Sequence, residues 1–134
     1  MTGNASKHIN SLRIIEVEGR CPAWGSGGSE KYKEKIREAA KKEMSSPYKV
    51  PVTIEIDLFY NSRMGNPVPD IDNAQKLIFD SLKGVALVDD KSVESAYPKV
   101  HDTSEIMIFD GPLFLTDMLM KGNISYTVIR IYEQ

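Results

Sequence analysis

Between Val52 and Tyr60 the chain alternates: Val52, Ile54, Ile56, Leu58 and Tyr60 are separated by Thr53, Glu55, Asp57 and Phe59. A period of two sends successive side chains to opposite faces, so this stretch predicts a half-buried strand. Elsewhere the period lengthens. Tyr32, Ile36, Ala39, Ala40 and Met44 recur at helical spacing and predict an amphipathic helix over residues 30–44. The Gly25-Ser26-Gly27-Gly28 loop precedes it, Ser29 is its expected N-cap, and Pro47 ends it. Ala74, Leu77, Ile78, Ser81 and Leu82 mark one face of a second helix, with Gly84 where a C-terminal cap belongs.

Shorter signals complete the outline. Leu12 to Val17 predicts a first strand, and Ile124 to Tyr132 a closing one. Val85 to Val88 is a short apolar run ending at Asp89-Asp90. Ser92 to Val100 reads as a strand in which Pro98 demands an edge or a bulge. Residues 103–122 carry the weakest pattern and read as an insertion before the last strand. Within them Ile106 to Phe109 could pair as a strand, and Leu113 to Met120 could form a helical turn or an interface loop. The order strand, helix, strand, helix, strands implies an α+β fold. The expectation is one small domain over residues 1–134, with two main helices and a mixed or mostly antiparallel sheet. Strand order is not legible in the pattern.

Composition narrows the class. In 134 residues, 41% are hydrophobic and 27% charged, enough apolar content for one core. No run of 18 apolar residues occurs, which excludes a membrane-spanning helix. The residues after Met1 lack the apolar segment of a secretory signal, so the expected compartment is the cytoplasm. A single cysteine, Cys21, makes no intrachain disulfide, and two distant histidines, His8 and His101, assemble no zinc set. Net charge is −2, but it is unevenly spread. Residues 1–49 hold 10 Lys/Arg against 6 Asp/Glu, whereas residues 50–134 hold 7 against 13.

The acids concentrate in one place. Asp70, Asp72, Asp80, Asp89 and Asp90 put five carboxylates within 21 residues. Such a group repels itself unless water or cations intervene, and hard divalent cations favour these ligands. Asp70 and Asp72, two apart, point to one side of an extended segment. On a helical wheel Asp72, Lys76, Asp80 and Lys83 lie opposite the apolar stripe. Lys76, one turn beyond Asp72, would stand beside a cation and stabilise charge on a phosphate. A purely structural reading also accounts for these residues. Asp72 with Gln75 makes a capping box, Asp70 opens a turn, Lys76 pairs with Asp72 or Asp80, and Asp89-Asp90 forms a hairpin turn.

Pro69-Asp70-Ile71-Asp72-Asn73, Lys76, Asp80, Leu82 and Gly84, followed by Asp89-Asp90, Val93 and Lys99, resemble the RusA family of Holliday junction resolvases. The motif core spans residues 69–99. The resemblance implies a homodimeric, Mg²⁺-dependent endonuclease, with Mn²⁺ able to substitute. It would nick four-way or branched DNA in paired, symmetric cuts during recombination and repair, typically in a phage or prophage. It makes Asp70, Asp72 and Asp90 the metal-binding catalytic acids and Lys76 the catalytic lysine, with Asn73 and Asp80 orienting them. Lys76, Lys83, Lys91 and Lys99 would meet DNA phosphates. The proline-rich turn of the family is reduced here to Cys21-Pro22-Ala23-Trp24.

Two other functions compete with this one. A non-catalytic junction-binding protein would keep the fold without needing intact acids. A magnesium-dependent hydrolase of small phosphate esters would need a closed pocket, and Gly25 to Gly28 lacks the Lys-Ser/Thr of a P-loop.

Overall fold

The computed structural model describes residues 12–22, 27–104 and 125–133. Through them the chain runs β1 (Arg13–Glu18), α1 (Ser29–Glu43) and β2 (Val52–Tyr60). A 3-10 turn (Ser62–Met64) leads into α2 (Ile71–Leu82). A second 3-10 turn (Asp90–Ser92) then precedes β3 (Val93–Asp102) and β4 (Tyr126–Glu133). The strands form one sheet in the order β1-β4-β2-β3. β4 pairs antiparallel with both β1 and β2, while β2 and β3 are parallel. That parallel pair follows from α2, which carries the chain back so that β3 starts alongside the start of β2. The sheet is therefore mixed, in an α+β arrangement.

Both helices cover the same sheet face. Ile15 and Val17 of β1, Ile54, Ile56 and Leu58 of β2, and Ile129 and Ile131 of β4 form one core. Tyr32, Ile36 and Ala40 of α1 and Ala74, Leu77, Ile78 and Leu82 of α2 pack onto them. Each fully buried aliphatic side chain contributes about 1.5–3 kcal/mol. Polar anchors cross the layers. The Tyr32 hydroxyl meets Thr127 Oγ1 at 2.5 Å, and Tyr48 donates to the Ile131 carbonyl at 3.1 Å.

Several local expectations shift. Ser29 is the first helical residue of α1 rather than its N-cap, a position held by Gly28 without a side-chain cap. Asp70, not Asp72, caps α2, leaving Asp72 in its first turn. β2 is buried on both faces rather than half-exposed, with Thr53, Asp57 and Phe59 as inaccessible as Ile54. Its central position, between β4 and β3, accounts for the loss of an exposed edge. Pro98 does lie on an edge strand, where a missing N–H costs no ladder bond on the open side. The apolar run after Gly84 is a turn that returns Ala86 and Leu87 to the core, where Tyr48 N–H donates to the Ala86 carbonyl. Asp89-Asp90 leads into a 3-10 turn before a parallel strand, so it is not a hairpin. Beyond residue 104, the readings of Ile106 to Phe109 and Leu113 to Met120 lie outside the described residues.

Candidate active site

α2 positions the first group of predicted residues. Asp70 has extended backbone geometry, and its Oδ1 accepts the Asn73 N–H at 3.2 Å. A carboxylate at this end also complements the partial positive charge of the helix. The opposite carboxylate oxygen of Asp70 makes no protein hydrogen bond among the described residues. Asp72 and Lys76 follow on the exposed side, because positions 74, 77, 78, 81 and 82 face the core. Neither Asp72 nor Lys76 makes an ion pair or side-chain hydrogen bond among the described residues. The structural reading in which Lys76 exists to pair with Asp72 or Asp80 is thus not realised. Asp80 instead pairs with Lys83 at 3.8 Å, near the C-terminal end of the helix.

The donor set suits a hard cation in its chemistry: two exposed carboxylates at a helix start, with uncommitted oxygens and a lysine one turn on. Asp90 opens the 3-10 turn at the other end of α2, and its side chain lies outside the described residues. Among the described residues, no three His, Cys, Asp or Glu side chains assemble as a metal site. Asp89 therefore does not join Asp70 and Asp72. Lys91 is exposed on the same 3-10 turn. Lys99 is opposite Asp57 in the β2–β3 register, on the sheet face away from α2.

A network of hydrogen bonds holds the segment that delivers Asp70. At the end of β3, Asp102 accepts from the Ser62 N–H at 3.2 Å and the Ser62 hydroxyl at 2.5 Å. It also accepts from the Ser104 N–H at 3.0 Å and the Ser104 hydroxyl at 2.7 Å. These bonds hold its carboxyl well below the usual range. Asn61 Oδ1 accepts the Arg63 N–H at 3.0 Å, and Asn66 Oδ1 accepts the Ser125 hydroxyl at 3.1 Å. Gly65 turns the chain at φ +81°, a left-handed angle that side chains disfavour. The loop is thereby tied to the ends of β3 and β4.

A second charged cluster carried no signal along the chain. Asp57, 3% exposed on β2, contacts His101 Nε2 through Oδ1 at 2.7 Å and accepts from Arg130 through Oδ2 at 2.9 Å. His101 stacks on Phe59, ring centroids 4.8 Å apart. Burial pushes the Asp57 carboxyl up, but the hydrogen bonds from His101 and Arg130 outweigh it and hold it below the ordinary value. His101 and Arg130 lie 44 and 73 positions beyond Asp57 along the chain, so only strand pairing unites the three. Burial pushes the Cys21 thiol up to about 11, which disfavours the thiolate that a nucleophile needs.

No helix among the described residues is long and apolar enough to cross a membrane. No curated protein matches the chain. The model of the family described as Endodeoxyribonuclease RusA matches residues 13–108. This span runs from β1 past the end of β3, includes both acidic segments and exceeds half of the chain. The chain thus belongs to the RusA endodeoxyribonuclease family, whose membership makes it a DNA endonuclease of the junction-resolving kind.

Proposed function

We propose that the protein resolves four-way DNA junctions by paired, symmetric nicks, with Mg²⁺ as its metal and a homodimer as its working form. Asp70, Asp72 and Asp90 hold the cation, and Lys76 is the catalytic lysine. The observation that carries this reading is the start of α2, where exposed Asp72 and Lys76 have no side-chain partner among the described residues, beside the capping carboxylate of Asp70. The family's general dependence on a divalent metal agrees with that chemistry.

When bound, the metal supplies Lewis-acid activation of water and of the scissile phosphate. The chain's own residues do the rest. Asp70 and Asp72 orient their oxygens from a helix start whose backbone is fixed by the Asn73 N–H. Lys76 approaches from one turn further along and balances the charge that grows on the phosphate oxygens. Lys83 and Lys91 add phosphate contacts, Lys83 alongside its pairing with Asp80. A two-fold dimer matches the two-fold symmetry of a four-way junction, so each copy cuts one strand. Cytoplasmic residence and a phage or prophage source belong to the same proposal.

The test uses end-labelled four-way junction and matched linear duplex, each with Mg²⁺ and with EDTA. Paired nicks near the crossover, only with metal and only on the junction, are expected. The Asp72→Asn variant should lose cleavage yet retain junction binding, because it removes a charge that repels phosphate. Cleavage by Asp72→Asn at the normal rate overturns the metal assignment. Junction binding without cleavage by the native chain indicates a binding protein that keeps the fold.

A further inference from the structure

Seven large hydrophobic side chains are exposed among the described residues, and four of them flank the candidate acids. Met64 at 59%, Val68 at 66% and Ile71 at 38% lie within eight residues around Asp70, and Val88 at 66% precedes Asp89-Asp90. Scattered single exposures need no explanation, but three within the eight residues around Asp70 call for one. The segment bearing Met64 and Val68 is also held in place. Asp102 holds Ser62 to the end of β3, Asn66 accepts from the Ser125 hydroxyl just before β4, and Asn61 caps the turn by accepting the Arg63 N–H; none of those bonds uses Met64 or Val68.

We propose that this apolar segment, Met64 with Val68 and Ile71, receives the faces of nucleobases unstacked at a DNA branch point. The inference rests on the junction-resolving reading and names what part of the DNA the segment takes. Arg63, just before Met64, and Lys76, five residues after Ile71, are exposed and make no ion pair among the described residues, so cations for phosphates precede and follow the apolar residues in the sequence. Methionine and valine gain nothing from phosphate, whereas the flat face of a base offers them a large apolar contact. In a continuous duplex those faces are stacked away, and at a branch point the stack is interrupted, so exposing them costs less. Apolar side chains inserted between base steps are an established way for proteins to open a duplex. A preorganised loop performs this without first having to be ordered on binding.

The experiment uses the full chain and its Met64→Ser, Val68→Ser double variant. Both sites are exposed, so the variant should fold as the native chain does, which matching thermal melts check before the assays. Four-way junctions carry 2-aminopurine at the crossover, and binding is followed in EDTA. The native chain should raise the fluorescence of the unstacked base, and the double variant should lose most of that rise. With Mg²⁺, the variant should nick a fully paired junction about ten-fold more slowly and regain its rate on a junction with mismatched crossover bases. Native nicking without a fluorescence change overturns this inference alone, as does equal slowing on both junctions. Conversion of the variant to a monomer in sedimentation also overturns it, by making the patch an interface between copies. If the native chain neither binds nor cuts branched DNA, both readings fall together.

Discussion

Asp70 caps α2, and substitution can separate that task from the metal ligation proposed for it. As the N-cap it needs an oxygen that accepts the Asn73 N–H, and as the proposed metal ligand it would need a charge. Asparagine satisfies the first and not the second, since it caps as well as aspartate does. Asp70→Asn should therefore abolish nicking with little change in the urea midpoint. Asp70→Ala should abolish nicking and also cost about 1 kcal/mol of stability. Equal stability of the two variants would show that the cap contributes nothing. Asp72, one turn position inside the helix and without a capping role, offers the cleaner test of charge. The motif residues could be singled out in the sequence because the chemistry proposed for them depends on residue type and spacing. Which aspartate capped the helix was not, because Asp70 and Asp72 both offer an oxygen three residues before a backbone N–H.

At the scale of elements, α2 and its exit are a local affair. The apolar stripe, the cap and Gly84 agree on where the helix begins and ends. Lys83 is its C-cap, and Gly84 follows at φ +80° with its N–H bonded to the Leu87 carbonyl at 2.6 Å. A Cβ on Gly84 would meet nothing within 4 Å. Gly84→Ala should thus cost only the left-handed backbone penalty, about 1 kcal/mol, read as a lowered urea midpoint with nicking unchanged at 25 °C. A larger loss would mean that the turn delivering Ala86 and Leu87 to the core had moved. β2 behaves differently. Its alternation marked it as a strand with the correct bounds, but its polar face is buried. Alternation reports two faces, and neighbouring strands decide what each face meets.

The whole molecule determines how the protein responds to acid. Asp57 is held below its ordinary value by His101 and Arg130, so its contribution to stability is full above the unfolded carboxylate value, about 4. It is lost as pH falls through the lower folded value. Asp102, held by Ser62 and Ser104, acts in the same direction. Glu16 opposes them, since burial, with Glu43 nearby, raises its carboxyl and favours the protonated form. With Asp57 and Asp102 against Glu16, the urea midpoint should fall between pH 7 and pH 3. Asp57→Asn should start less stable at pH 7, because Arg130 and His101 lose a buried anion, and should lose less on acidification. An equal acid loss in native and variant chains would remove Asp57 from the account. Conversely, nothing in the mixed charge of the sequence pointed to this cluster, since its members pair across strands rather than along the chain.

The sequence by itself determined the elements and the composition of the acidic motif. Helix and strand periods act over a few residues, and the types and spacing of Asp70, Asp72, Lys76 and Asp90 are local facts. Tertiary structure alone decided the strand order β1-β4-β2-β3 and the parallel alignment of β3 with β2. From these follow the burial of Asp57 and the anchoring of Ser62 by Asp102 across 40 residues. Long-range pairing depends on which faces find each other in the fold, and no pattern within one segment encodes its partner.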